Sequence, residues 1–238
     1  MEDSIQTISL VNVAMSFVPV LVVIYILYQW RLSPGTALYA SMRMVIQLLL
    51  VGYFLAFIFA AESAWIVLLV IMVMVLSASW ISLRTSKLSR SVLFSKALIS
   101  IVVGGGIILI FISQLVLELS PWYKPSYMIP IAGMIFANAM NSISLAIERL
   151  ESELANDVDY DVARNIAFQA SMIPIINSLF AVGLVSLPGM MTGQILSGVS
   201  PLIAVRYQIV VMCMIFGSGG ITSAYFLSLV KSHYKQKV

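Results

Sequence analysis

The sequence is poor in charge. Of its 238 residues only 10% are Asp, Glu, Lys or Arg, against 61% hydrophobic, and the mean hydropathy is +1.03. A soluble domain carries about 25% charged residues, so this chain cannot cover a globule with polar surface. That excludes an ordinary soluble enzyme, a nucleic-acid binder, a disordered protein and a disulfide scaffold. Cysteine is almost absent as well. Cys213 stands alone in an apolar run, so neither an internal disulfide nor a cysteine zinc site is available. His233 is the one histidine, which excludes a histidine metal cluster. Gly104–Gly106 is not followed by Lys and Ser or Thr, so there is no phosphate-binding loop and no ATP hydrolysis by this chain alone. The last apolar run lacks lysine, which excludes an opsin-like Schiff base. No histidine or carboxylate lies within the apolar runs. An intramembrane enzyme would need such a base or metal, and ion-coupled transporters usually hold ionisable residues near the midplane.

What the chain does have is long charge-free runs. They cover Ser4–Trp30, Met44–Ala61, Ser63–Leu83, Ala97–Leu117, Pro125–Ile147, Asn165–Val205 and Tyr207–Val230. A helix needs about 20 residues to cross a hydrocarbon core of roughly 30 Å, and six of the runs fit one crossing each. Asn165–Val205 is broken by Pro188, Gly189, Gly193, Gly198 and Pro201. It reads as a spanning helix to Leu187, then an irregular or re-entrant segment over 188–206. The fold class is therefore all-α: a polytopic membrane helix bundle, one transmembrane domain over 1–238, with about seven transmembrane helices.

The basic residues choose the orientation. With the N-terminus outside and the C-terminus cytoplasmic, the inner loops hold Arg31, Arg43, Arg84, Lys87, Arg90, Lys96, Arg149, Arg164, Lys231, Lys235 and Lys237. Only Lys124 and Arg206 remain outside, a clear positive-inside pattern. Glu2 and Asp3 open the chain with no basic region, unlike a cleaved signal peptide.

Polar residues inside the runs are candidates for a path. Arg43 and Gln47 share a face at the start of the second run, and an arginine there reads as snorkelling to the headgroups. Met134, Asn138, Asn141 and Ser142 share a face of the fifth span at helical spacing. Gln169 and Asn177 do so on the sixth, near Pro174. Buried amides either glue helices or line a path, and both readings stay open. Met190, Met191 and Gln194 on the broken segment join the path candidates. Methionine binds soft metals and also fills cores. Cys213, Gly217, Gly220 and Ala224 make a small-residue strip suited to close helix packing.

The most polar stretch is the inner loop ERLESELANDVDYDVAR, Glu148 to Arg164. Leu150, Leu154, Val158 and Val162 recur every four residues, so a helical form would be amphipathic, with Asn156 or Asp157 capping or turning it. This is either a solvated loop or a docking helix for a cytoplasmic partner.

Glu151 to Pro174, ESELANDVDYDVARNIAFQASMIP, resembles the coupling loop of ABC-transporter permeases, with Asn156 where a glycine is expected and Tyr160, Asp161, Arg164 and Pro174 following it. A resemblance to the FetB-type iron-export permeases runs over nearly the whole chain. Its carriers are RMVIQLLLVG (Arg43–Gly52), IPIAGMIFANAMNSISLAIERL (Ile129–Leu150) and LVSLPGMMTGQILSGVSPLIAVRYQIVVM (Leu184–Met212). The resemblance implies a bacterial inner-membrane permease, partner of a separate FetA-like ATPase that holds ATP and Mg, and export of iron. This chain would bind no cofactor, form a homodimer among membrane lipids and take no nucleic acid. Glu148, Glu151, Leu154, Asp157, Tyr160, Asp161 and Arg164 would couple to the ATPase. Met134, Asn138, Asn141, Asn177, Met190, Met191 and Gln194 would line the path, with no metal ligands assigned. Plant relatives imply aluminium tolerance and nucleotide-sugar transport. An ABC exporter of an organic solute such as a nucleotide sugar shares these features, and an ion-coupled secondary transporter would need no ATPase.

Overall fold

A computed structural model describes residues 8–60 and 63–235. Glu2, Asp3 and Lys237, which entered the orientation argument, lie outside the described residues, as does the start of the first run at Ser4. The chain divides into two compact units, Met1–Ala61 and Glu62–Val238. Among the described residues the regular structure is helical, apart from an isolated bridge between Val182 and Ser186.

In the first unit the run expected as one helix is two, α1 (Leu10–Met15) and α2 (Val18–Gln29). Pro19 is the reason. Its missing N–H is harmless in a first turn, and its ring excludes the carbonyl four residues back, so the helix restarts there. Ser9 caps α1 by accepting the Asn12 N–H at 3.2 Å. The next helix, α3 (Pro34–Ala60), begins well before the charge-free run at Met44. Arg43 and Gln47 therefore lie inside it and not at its start, both exposed within the unit. Arginine is a good helix former, so a charge interrupts hydropathy without ending a helix.

The second unit holds α4 (Ala64–Ser82), α5 (Arg90–Ser100), α6 (Ile107–Ile110), α7 (Pro125–Leu154), α8 (Tyr160–Ala181), α9 (Gly189–Leu196), α10 (Pro201–Leu229) and α11 (Lys231–Lys235). Wider π-type turns at Ile101–Gly106 and Phe111–Val116 flank α6, so Arg90–Val116 continues as one rod. Six helical stretches across the chain are long and apolar enough to cross a membrane: Leu10–Gln29, Pro34–Phe59, Ala64–Thr85, Arg90–Val116, Pro125–Leu154 and Pro201–Leu229. The sixth expected span, α8, is 22 residues long but falls outside that set. Asn165, Gln169, Asn177 and Pro174 dilute its hydropathy. It also stops at Ala181 and not at Leu187, because Gly183 turns the chain at φ +83° and donates its N–H to the Ser186 carbonyl at 3.0 Å.

The central element is α7. Ala132, Ile135, Ala139, Ile143, Ala146, Ile147 and Leu150 recur at helical spacing and are fully buried against α4, α8 and α10. Lipid offers apolar side chains no less than a protein interior does, so close packing and hydrogen bonds hold such helices together. Small residues supply the closeness. A Cβ at Gly104 would lie 2.8 Å from the Thr222 Cα, and one at Gly219 would lie 2.5 Å from the Ile175 Cδ1 and 2.8 Å from the Ser142 Oγ. The expected packing strip on the last span is thus rotated. Cys213 and Ala224 are exposed, and Ser218, Gly219, Thr222 and Ser223 form the buried face.

Candidate functional site

Three walls of the second unit line a half-open cavity of about 640 Å³. Met134, Asn138, Asn141 and Ser142 come from α7, Ser171, Pro174, Ile175 and Ser178 from α8, and Gln208, Val211, Met212 and Ile215 from α10. Ser186, Pro188, Gly189 and Met190 close one end. No formal charge lines it. Several polar groups donate to backbone carbonyls. Asn138 Nδ2 donates to the Met134 carbonyl at 2.8 Å, Ser171 Oγ to Phe168 at 2.7 Å and Ser178 Oγ to Pro174 at 2.9 Å. Ser144 Oγ, also on the wall, donates to the Ser82 carbonyl of α4 at 2.9 Å.

A second cavity, of about 380 Å³, adjoins this one. Gln194, Tyr207 and Met214 line it, and Met190 and Val211 border both cavities. Four of the seven path candidates, Met134, Asn138, Asn141 and Met190, thus meet in the larger cavity, and Gln194 lies in the smaller. Asn177 and Met191 line neither. Asn177 and Gln169 are exposed on α8, because the cavity face runs through Ser171, Pro174 and Ser178, and one residue turns a helix by about 100°. The segment expected to be irregular over 188–206 contains the eight-residue α9 and the first turns of α10. Sequence reading passed over Gln208. The signal was available, since it is the one side-chain amide in α10.

The far end of the unit gathers the segments around 84–90, 148–161 and 227–235. Glu148–Arg164 is neither a plain solvated loop nor one continuous helix. Instead α7 runs through to Leu154 and α8 starts at Tyr160, with a tight turn between. The turn is a Schellman motif: Val158 N–H bonds the Glu153 carbonyl at 3.3 Å and Asp157 N–H bonds Leu154 at 3.2 Å. The left-handed residue is Asp157, at φ +60°, one position after Asn156, and Asn156 donates its side-chain amide to Ser152 at 3.1 Å. Asp159 caps α8 by accepting the Asp161 N–H at 2.8 Å.

The seven coupling candidates split by exposure. Glu148 and Asp157 are exposed, and Leu154, Asp161 and Arg164 are half-buried. Glu151 and Tyr160 are buried and act as internal fasteners. Glu151 accepts the Lys87 N–H at 2.6 Å, the Ser86 hydroxyl at 2.7 Å and the Tyr234 hydroxyl at 2.5 Å. Tyr160 donates its hydroxyl to the Leu227 carbonyl. Asp161 pairs with Arg164 at 3.0 Å and with Lys231 at 2.8 Å. The turn is therefore tied to both α10 and α11.

Burial pushes the Tyr160 phenol up to about 12, with Arg164 lowering it and Asp161 raising it. Tyr234 is raised further, first by burial and then by its bond to the Glu151 carboxylate. In the unfolded chain both phenols ionise near pH 10, while the folded chain keeps their protons. Above that pH the unfolded state holds fewer protons, so stability is complete below about pH 10 and falls as pH rises towards 12. Thermal unfolding at pH 9 and pH 11 checks this. Tyr160→Phe should lower stability at pH 9 and shrink the drop between the two; an unchanged drop would contradict the assignment.

Among the described residues no group of three or more His, Cys, Asp or Glu side chains is placed to hold a metal ion. The comparisons with known proteins agree with the membrane fold. The family model "Uncharacterised protein family (UPF0014)" matches residues 9–160 and 159–234. A UPF0014 membrane protein of Synechocystis is 35% identical over 87% of this chain and 87% of its own. The "Probable iron export permease protein FetB" of Escherichia coli is 32% identical over 89% of this chain and 86% of its own. The "Protein ALUMINUM SENSITIVE 3" of Arabidopsis thaliana is 33% identical over 90% and 83%. No solved structure matches. With the family model covering nearly every described residue and these relatives aligned along most of their length, the chain belongs to the UPF0014 family of membrane proteins, the family that the FetB-like blocks pointed to.

Proposed function

We propose that this chain is the permease subunit of an ATP-driven ABC exporter of iron, energised by a separate cytoplasmic ATPase and set in a bacterial inner membrane as a homodimer. The observation that carries the reading is one of construction. The two helices that meet at the 155–159 turn, α7 and α8, are the same two that supply two of the three walls of the larger cavity. A force applied at the turn is thereby delivered to the cavity walls, and the Glu151, Tyr160 and Asp161 contacts keep the lever stiff. The excess of basic residues at that end favours a cytoplasmic position for it. The iron assignment draws on the name of the Escherichia coli relative. The permease itself needs no ATP site, and ATP and Mg belong to the partner.

The exposed turn residues are the natural grip. Swapping Asp161 and Arg164 in charge would set a lysine against Lys231, so it disturbs the fold as well as the surface. The cleaner variant is Glu148→Lys with Asp157→Asn. Glu148 is exposed, and asparagine tolerates the left-handed backbone at 157. We expect its unfolding temperature to match that of the unaltered chain while co-purification of the ATPase drops about tenfold or more. Full ATPase recovery with this variant would contradict docking at the turn.

A further inference from the structure

The turn end of the second unit holds a third, half-open cavity of about 540 Å³, which shares no residue with the other two. Segments distant in sequence build it: Lys87 and Leu88 between α4 and α5, the 151–160 stretch around the turn, and Tyr234 on α11. Close-packed interiors leave few voids larger than a water, whereas ligand pockets span about 300–1,000 Å³. By size this space is a socket.

Its lining is amphipathic. Leu88, Leu154 and Val158 are half-buried and give it apolar walls. Three carboxylates, Glu151, Asp157 and Asp159, stand against the one ammonium of Lys87. They are not equally free. Glu151 is committed to donors from Ser86, Lys87 and Tyr234. Asp159 uses one oxygen to cap α8. Asp157 is exposed, and among the described residues its carboxylate takes no hydrogen bond and no ion pair.

That combination selects an occupant. A wholly apolar anchor would cover Asp157 and Asp159 without pairing them, and burying an unpaired charge is costly. A carboxylate would be repelled. Arginine has an apolar stem to lay on Leu88, Leu154 and Val158, and a planar cationic head for the two exposed aspartates. It is also among the side chains that most often anchor interfaces from within a pocket.

We propose that this cavity is the socket for an arginine side chain of the ATPase, its stem against Leu88, Leu154 and Val158 and its guanidinium held by Asp157 and Asp159. This rests on the exporter reading and names the chemistry of its docking contact.

The test is the dissociation constant of a candidate ABC ATPase for the full chain in lipid nanodiscs. Ala155 lines the socket, is exposed and has ordinary helical backbone. Ala155→Trp therefore fills the space without removing a contact, and Ala155→Ser leaves it open. Tryptophan should weaken binding about tenfold or more and serine should not change it. Lys87→Glu removes the competing cation and keeps the backbone N–H that Glu151 holds, so binding should tighten about threefold, less so at high salt. Asp159→Asn keeps the cap and should weaken binding about threefold. Among exposed arginines of the ATPase, one changed to alanine should make Ala155→Trp cost nothing further.

Unchanged affinity in Ala155→Trp would overturn the socket. Unchanged affinity in both Lys87→Glu and Asp159→Asn, each with the unfolding temperature of the unaltered chain, would overturn the cationic occupant, and the lack of any such arginine would overturn its identity. The two readings fail distinguishably. An unaltered chain that binds no ABC ATPase sinks the exporter and the socket with it, whereas full binding by Ala155→Trp sinks the socket alone.

Discussion

Glu151→Ala should be among the most damaging single substitutions in the chain. The carboxylate is 6% exposed and collects three donors from two other segments: Lys87 N–H, the Ser86 hydroxyl and the Tyr234 hydroxyl. Hydrogen bonds to a charged acceptor contribute about 1.5–3 kcal/mol each, and a buried donor stripped of its partner costs about 1–3 kcal/mol. The half-buried hydroxyls of Ser86 and Tyr234 can turn to water, whereas the Lys87 N–H is fixed by the backbone. A total near 3 kcal/mol follows for the alanine variant, or a fall of roughly 6–12 °C in unfolding temperature for a chain of this size. Glu151→Gln keeps the shape and one acceptor oxygen, so it should lose less. A thermal scan of the two variants measures the difference. Limited proteolysis adds a second readout, because the 84–90 and 231–235 segments lose their common anchor. Equal stability of the alanine variant would mean that these bonds hold nothing.

The second large effect lies in the glycine run. Gly104→Ala should destabilise and Gly106→Ala should not. At Gly104 the added Cβ would come within 2.7 Å of the Thr222 backbone nitrogen and 2.8 Å of its Cα. Backbone cannot rotate away, so the rod and α10 must separate. Overpacking of this kind costs about 1–3 kcal/mol or more, roughly 2–12 °C in unfolding temperature. At Gly106 nothing lies within 4 Å of the same atom, and alanine is the better helix residue by about 1 kcal/mol. Two substitutions of identical chemistry, two residues apart, should therefore move stability in opposite directions. Thermal unfolding of the pair in one lipid environment decides it, and equal shifts would contradict the close approach of Gly104 to Thr222.

The sequence made the membrane bundle legible because hydropathy integrates over whole helices. Its errors fell where a single residue decides. Pro19 split the first run, Arg43 hid the early start of α3, and Gly183 ended α8 ahead of Leu187. The polar face of α7 was readable from spacing, since Met134, Asn138 and Asn141 share one side of an uninterrupted helix. Asn177 was not, because its side is set by which face of α8 packs, and Gln169 gave the wrong face. Gln208 needed the third wall, which only tertiary structure supplies. At the turn, spacing of leucines and valines allowed an amphipathic helix that Asn156 or Asp157 could turn; Asp157 takes the left-handed conformation, and Asp159 at an N-cap, which spacing did not single out, restarts the chain as α8. Glu151 and Tyr160 looked like surface groups by residue type, and their burial depends on Tyr234 and Leu227, more than sixty residues away.

The most direct test of the central claim is ATP hydrolysis by this chain co-purified with a candidate ABC ATPase in lipid nanodiscs, with Fe(II) titrated in. The account predicts a stable complex whose hydrolysis rate rises saturably with Fe(II) and is indifferent to UDP-glucose. A complex that never forms, or a chain that moves its solute in vesicles on an ion gradient without ATP, would contradict it.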